Sequence, residues 1–167
     1  SKGARLTTHL SIPSRYLVYM PYGGHLGVSQ RIDGDAERER LRALMEGVLE
    51  DNKPEQGDEL GRGFILRTAA EGVSREALEI DLLFLQRMWS AVKEKTNKTQ
   101  KITKIHEDLP LYLRTLRDEV RGEVEKVRID SRETCAKMVS FAKKYTPSSE
   151  SLIDHYPGER PIFDLYG

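Results

Sequence analysis

The feature that most constrains the fold of this chain is the segment REALEIDLLFLQRMWSAVKEKT at positions 75–96. Its main apolar positions are separated by four, three, four and three residues, which is the spacing of one face of an α-helix. They are Leu78, Leu82, Leu85, Trp89 and Val92. Since a helix with one apolar face packs that face against another layer, the pattern predicts a long core helix with the tryptophan as a core anchor.

Three runs before this helix are typical of short strands. They are SRYLVYM at 14–20, VSQRI at 28–32 and FILRT at 64–68, all with the β-branched or aromatic residues that favour strands. YGGHLG, with three glycines in six residues, predicts a turn or flexible loop between the first two runs. A polar stretch at 51–63 predicts a longer loop before the third.

A second amphipathic helix is predicted by AERERLRALMEGVLED at 36–51. Asp35 precedes it and is a residue type that accepts hydrogen bonds at helix N-termini, so we predict it as the N-cap. For the long helix, Ser74 is the predicted N-cap.

The polar tract KTNKTQKITK at 95–104 is the best internal boundary. Beyond it the pattern predicts a helix after Pro110, a strand in VEKVRID, a helix capped by Ser131 and a last extended piece in SLIDHYPGERPIF. The chain is therefore predicted to be α+β, with one unit up to about Lys104 and a smaller βα-type unit after it.

Charge and cysteine content exclude several classes of protein. The 167 residues contain 27 Lys and Arg against 27 Asp and Glu, so a nucleic-acid partner would have to contact a local basic patch. The single cysteine, Cys135, excludes an intramolecular disulfide or a CxxC metal site, and its helical spacing predicts a buried small residue. No run is long and apolar enough for a membrane span and no signal sequence opens the chain, so we expect a cytoplasmic protein without membrane contact.

Arg67 and Thr68 form the first candidate site. A guanidinium and a hydroxyl beside a strand end and a helix start would suit phosphate oxygens. The alternative is an exposed arginine paired with Glu71 or Glu76.

Other candidates are weaker. YGGHLGVSQRI could offer backbone amides to an anion with help from Arg31, but it matches no defined phosphate-loop spacing and a hairpin turn explains it better. The four histidines are too scattered to predict a metal site. Asp130, Asp154 and Asp164 lie in or near extended segments, but their spacing is not diagnostic of a nuclease centre.

Several strings together resemble one family. KGARLTTHLSIPSRYLVYMP, GVSQRI, ERERL, GFILRTAAEGV, VRIDSRET and HYPGERPIFDLYG occur in the order found in the ribonuclease E/G family, and are more similar to its G-type than its E-type members. The resemblance covers nearly the whole chain except the loop at 51–62.

The resemblance implies a domain organisation. Residues 1–10 resemble the last strand of an RNA-binding S1 domain, residues 11–104 a 5′-sensor domain, and residues 105–167 an RNase H-like subdomain without its own active site. The family's DNase I-like catalytic domain, with its Mg²⁺-binding acids and a zinc-binding segment, would lie after this sequence. We therefore expect no cofactor and no catalytic activity in this segment, and Mg²⁺, with Zn²⁺ as a second candidate, in the full-length enzyme.

The resemblance also implies roles for individual residues. Arg67 and Thr68 stand where the family holds the 5′ phosphate of RNA, and Val18 stands where it flanks the terminal nucleotide. Backbone near Ser14 would contribute, although the family can have glycine there. Lys2 corresponds to a lysine of the S1 RNA channel.

By the same resemblance, the parent enzyme is a bacterial endoribonuclease specific for single-stranded RNA, with a preference for 5′ monophosphates. It processes ribosomal RNA precursors and degrades messages, and we expect it to form a homo-oligomer. The alternative is a structural and assembly role for this segment, without RNA-end binding of its own.

Overall fold

The computed structural model describes residues 7–53, 61, 63–99, 102–120 and 122–165. These ranges do not include Lys2 and the rest of the predicted S1 strand up to position 6. They also leave out most of the predicted loop at 51–63. Residues 7–10 are described and are not in a strand. The chain divides into two compact units, Ser1–Lys98 and Thr99–Gly167, so it is divided six residues before the position expected from composition.

The first unit contains a four-stranded mixed sheet and two helices. Its strands are β1 (Ile12–Pro13), β2 (Leu17–Tyr19), β3 (Leu26–Val28) and β4 (Phe64–Leu66), in the spatial order β1-β2-β4-β3. β4 pairs antiparallel with β2 and parallel with β3. The helices are α1 (Asp35–Asp51) between β3 and β4, and α2 (Arg75–Lys98) after β4.

The core of the first unit lies between the sheet and the two helices. α2 contributes most of its apolar stripe, and Leu78, Leu82, Leu85 and Val92 are buried as predicted. Trp89 is half-buried and packs edge-on against Tyr19, with ring centroids 5.7 Å apart. From the sheet, the alternating residues of β2 and β4 that face the helices are buried, namely Leu17, Tyr19, Phe64 and Leu66.

Three expectations about this unit were wrong in detail. The run at 14–20 is not one strand, because Ser14 donates its N–H to the Leu17 carbonyl at 2.8 Å and closes a turn between β1 and β2. β3 begins and ends earlier than VSQRI, since the Ile32 N–H bonds to the Ser29 carbonyl at 3.2 Å and turns the chain. Asp35 is the first residue of α1 and not its cap; its carboxylate pairs with Arg38.

The second unit contains a βαβ arrangement with one further helix. Its elements are α3 (Leu111–Glu119), β5 (Val127–Ile129), α4 (Arg132–Tyr145) and β6 (Ile153–His155). β5 and β6 pair in parallel, and α4 packs against both strands and α3. Ser131 caps α4 as predicted, accepting the Thr134 N–H at 3.2 Å, and Cys135 is buried. The chain is therefore α+β, as its sequence predicted.

Candidate functional site

Three turns of the first unit lie together at one end of its sheet. The turn before β2, the turn after β3 and the segment after β4 meet there, because β4 lies between the other two strands. The Leu66 carbonyl accepts the Ser29 N–H at 2.9 Å, and the Tyr16 carbonyl accepts the Arg67 N–H at 2.8 Å. Each turn contains one arginine at this end of the sheet: Arg15, Arg31 and Arg67.

Arg67 is fixed by the turn before β2. Its Nη1 donates to the Ser14 carbonyl at 2.6 Å and to the Arg15 carbonyl at 3.1 Å. Within the described part of the chain, its Nε and Nη2 hydrogens have no acceptor. Among the described residues, Arg67 forms no ion pair with Glu71 or Glu76. The alternative interpretation, an exposed arginine paired with one of these glutamates, is therefore wrong for the described residues. The side of the guanidinium formed by Nε and Nη2 is the side that suits a bidentate oxyanion.

Thr68 follows directly and is exposed. It begins a short 3₁₀ turn, Thr68–Ala70, which the Arg67 carbonyl stabilises by accepting the Ala70 N–H at 2.9 Å. The 3₁₀ turn and residues 71–74 separate β4 from α2. Thr68 nevertheless presents a hydroxyl beside the arginine.

The start of α1 holds the segment that follows Thr68. The Glu37 carboxylate accepts the Gly72 N–H at 2.8 Å, and Arg40 donates to the Val73 carbonyl at 3.2 Å. Glu37 and Arg40 also pair with each other at 2.6 Å. The Arg40 hydrogen bond and then the Gly72 N–H lower the pKa of Glu37 to about 2. Gly72 has φ of 68°, a backbone conformation that favours glycine.

Val18 lies on the same side of the sheet as Arg67. It is directly opposite Ile65 in the β2–β4 register, and both are half-buried. Side chains alternate along a strand, so Ile65 and Arg67 leave one face while Leu66 enters the core on the other. Val18 and Ile65 thus lie on the face of the sheet that Arg67 leaves at the end of β4, and Thr68 follows Arg67 in the chain.

Ser14 has a different position from the one expected of a ligand contact. Its side chain is fully buried, its N–H bonds to Leu17, and its carbonyl accepts from Arg67. Its hydroxyl donates to Asp81 at 2.7 Å. Ser14 therefore contributes to the site by holding Arg67, and its backbone groups are already bonded.

Arg31 lies in the turn after β3 and is exposed. Its guanidinium makes no ion pair or hydrogen bond among the described residues. Asp33 and Asp35 follow Arg31 closely in the chain, so this end of the sheet is not uniformly basic.

Asp81 was missed from the sequence. It lies on α2 at three residues after Leu78 and four before Leu85, and so on the apolar face of the helix. A carboxylate at that spacing was the available signal, because charged residues are rarely buried unless they are paired.

The described residues contain no group of three or more His, Cys, Asp or Glu side chains that could hold a metal ion. Of the predicted acidic candidates, Asp154 on β6 pairs with Lys126 at 3.3 Å. In the same ranges, no helix is long and apolar enough to cross a membrane.

A guanidinium that two backbone carbonyls hold, and whose remaining donors have no acceptor among the described residues, lies beside an exposed hydroxyl and forms a candidate oxyanion site on an α+β scaffold. Comparison with known proteins gives the particular family. Residues 11–167 match the Ribonuclease E/G family, and the chain belongs to it.

Individual relatives agree with this assignment. The chain is 45% identical over 166 residues to Ribonuclease G of Salmonella typhimurium and 44% identical over 167 residues to Ribonuclease G of Haemophilus influenzae. It is 32% identical over 169 residues to Ribonuclease E of a Nostoc species. These matches cover 99–100% of this chain but only 32%, 32% and 23% of the relatives, so the chain spans about a third or less of their length.

Proposed function

We propose that this chain is the part of a bacterial single-strand-specific endoribonuclease that recognises the 5′ monophosphate of RNA. The observation that carries the proposal is the state of Arg67. Two backbone carbonyls fix one nitrogen of its guanidinium, and the remaining N–H donors have no acceptor among the described residues. A terminal phosphate is dianionic or nearly so and has three acceptor oxygens, so it suits this fork.

In this proposal each site residue has a separate task. Arg67 binds two phosphate oxygens, and the Thr68 hydroxyl donates to a third. Val18 offers apolar contact to the terminal nucleotide on the same face of the sheet. Arg31, and Lys2 outside the described residues, contact the RNA backbone further along.

A 5′ hydroxyl end lacks the dianion, so recognition rests on a difference in charge. A charge-assisted hydrogen-bonded contact contributes about 1.5–3 kcal/mol, or roughly 10- to 150-fold in affinity. We expect the preference for phosphorylated over hydroxyl RNA ends to be of this order.

In this proposal the parent enzyme is a homo-oligomer in the cytoplasm. It cleaves RNA during ribosomal RNA processing and message decay. Catalysis and its metal ions, Mg²⁺ and in some members Zn²⁺, belong to parts of the relatives that this chain does not span. We expect no cleavage by this chain alone. Residues 11–104 are the proposed 5′ sensor and 105–167 the proposed RNase H-like subdomain.

The test compares two short fluorescent RNAs that differ only in a 5′ monophosphate or 5′ hydroxyl. Arg67→Ala should bring the affinity for the phosphorylated RNA down to that for the hydroxyl RNA. Thr68→Val should weaken phosphate binding by roughly two- to tenfold, since one hydroxyl contact contributes about 0.5–1.5 kcal/mol. The matched control is Arg42→Ala, which removes an exposed arginine of α1 that pairs with Glu39.

Full discrimination in Arg67→Ala would overturn the proposal. Equal weakening by Arg42→Ala would mean general attraction to the RNA backbone, which a salt titration would confirm by its slope.

A second function is favoured by exposed apolar side chains. Ile80 and Leu83 on α2 are 66% and 40% exposed, and Phe163 in the second unit is 84% exposed. Such side chains suit docking to other parts of an enzyme. If the chain binds both RNAs equally, with and without the rest of the enzyme, the structural and assembly role replaces the sensor role.

A further inference from the structure

The carboxylate of Asp81 is buried beneath the site and is 6% exposed. It accepts the Ser14 hydroxyl at 2.7 Å and the Tyr16 N–H at 2.6 Å through the same oxygen, Oδ2. Both donors belong to the turn before β2. A buried carboxylate is costly unless it is well hydrogen-bonded, so these short bonds fix the turn against α2.

The same turn contacts Arg67 from its other side. The N–H of Tyr16, which bonds to Asp81, and the carbonyl of Arg15, which accepts from Arg67 Nη1 at 3.1 Å, belong to one peptide group. The described chain has no cis peptide bonds, so this N–H and this carbonyl point in opposite directions. A single peptide group therefore lies between the carboxylate and the guanidinium.

Ser14 makes a second connection between Asp81 and Arg67, through its side-chain hydroxyl and its backbone carbonyl. Its hydroxyl donates to Asp81, while its carbonyl accepts from Arg67 Nη1 at 2.6 Å. The carboxylate thus bonds to Ser14 and Tyr16 of the turn, while the carbonyls of Ser14 and Arg15 accept from Arg67 Nη1. Hydrogen bonds at the two ends of one peptide group polarise each other, so the carboxylate at the Tyr16 N–H strengthens the Arg15 carbonyl as an acceptor.

We propose that Asp81 is the positioning residue of the anion site: through the Ser14–Tyr16 turn it fixes the Arg67 guanidinium so that its Nε and Nη2 donors face the phosphate. This inference rests on the proposed function. Asp81 does not touch the ligand. Because Asp81 orders Arg67 before RNA binds, little conformational freedom of Arg67 is lost on binding. That loss would otherwise reduce affinity.

The test uses Asp81→Asn, which keeps the size of the side chain and removes its charge. We expect the preference for 5′-monophosphate over 5′-hydroxyl RNA to fall roughly three- to tenfold, because weakened hydrogen bonds to the turn loosen Arg67. Affinity for the 5′-hydroxyl RNA should be unchanged. Ser14→Ala removes the bond from the Ser14 hydroxyl to Asp81 and should give a smaller fall, with little added effect in the double variant.

Two controls separate positioning from loss of stability. Leu85→Ala, one turn along the same buried face of α2, should lower the melting temperature at least as much as Asp81→Asn yet leave the preference intact. In the protein without RNA, ¹⁵N NMR should show a resolved Arg67 Nε–H signal with slow rotation of the guanidinium, and Asp81→Asn should broaden or shift it.

The outcomes are distinct. If Arg67→Ala abolishes the preference while Asp81→Asn leaves both the preference and the Arg67 signal unchanged, the positioning role is wrong and the proposed function stands. If Leu85→Ala reduces the preference equally, Asp81 acts only through stability and the inference is wrong. If the unaltered protein shows no preference, both the function and the inference are overturned.

Discussion

At the scale of single residues, Gly63 shows how closely two backbone segments can approach. It is buried, and its carbonyl accepts the Met20 N–H at 2.7 Å where β4 begins. A Cβ at this position would lie 2.2 Å from the Met20 carbonyl oxygen and 2.7 Å from that of Gly23. Only a residue without a side chain fits between these backbone atoms.

We therefore expect Gly63→Ala to destabilise the protein by about 1–3 kcal/mol, the usual cost of overpacking. Urea unfolding followed by circular dichroism would measure it. Gly24→Ala is the matched control, because a Cβ at Gly24 meets nothing within 4 Å and should change stability by less than about 0.5 kcal/mol. Equal effects of the two substitutions would contradict the steric argument.

At the scale of elements, α1 and the turn after Thr68 are connected by charged hydrogen bonds. Glu37 accepts from Arg40 of the same helix and from the Gly72 N–H, and these bonds lower its pKa from 4.5 to about 2. A carboxyl group whose pKa is lower in the folded than in the unfolded protein stabilises the fold when it is ionised. This stabilisation is complete above about pH 4.5 and is lost as the pH falls toward 2.

Glu37→Gln should accordingly lower stability at pH 7 and have a progressively smaller effect between pH 4.5 and 2. Thermal unfolding of both proteins across this range would measure the difference. Glu39→Gln, which removes a carboxylate that pairs with Arg42 at 2.6 Å on the same helix, is the control. A difference between Glu37→Gln and the unaltered protein that stays constant down to pH 2 would contradict the assignment.

At the scale of the whole molecule, each of the two compact units has its own buried side chains. In the second unit these include Leu116, Cys135, Met138, Phe141 and Ala142. The only tryptophan, Trp89, belongs to the first unit and contacts Tyr19 there. Tryptophan emission therefore reports on the first unit, whereas circular dichroism reports on both.

Phe141→Ala should destabilise the second unit by about 3–5 kcal/mol through cavity formation. In urea we expect the circular dichroism transition to begin earlier and the Trp89 emission transition to keep its midpoint. Leu85→Ala, in the first unit, should instead lower the midpoint of the emission transition. A Phe141→Ala variant that shifts both signals equally would mean that the units unfold as one cooperative structure.

The elements that depend on local pattern could be predicted from the sequence alone. The apolar stripes of α1 and α2, the caps Ser74 and Ser131 and the buried position of Cys135 follow from helical spacing and side-chain chemistry. The family resemblance, shown by the match over residues 11–167, came from strings of residues and not from this pattern.

The ends of the strands and the contacts that hold the candidate site depend instead on tertiary packing. The bonds that matter join Arg67 to Ser14, 53 residues away, and Ser14 to Asp81, 67 residues away. Local sequence predicts neither, because a backbone carbonyl or N–H has the same chemistry in every residue and acquires a partner only when distant segments pack together. For the same reason neither the burial of Ser14 nor a role for Asp81 was predicted from the sequence.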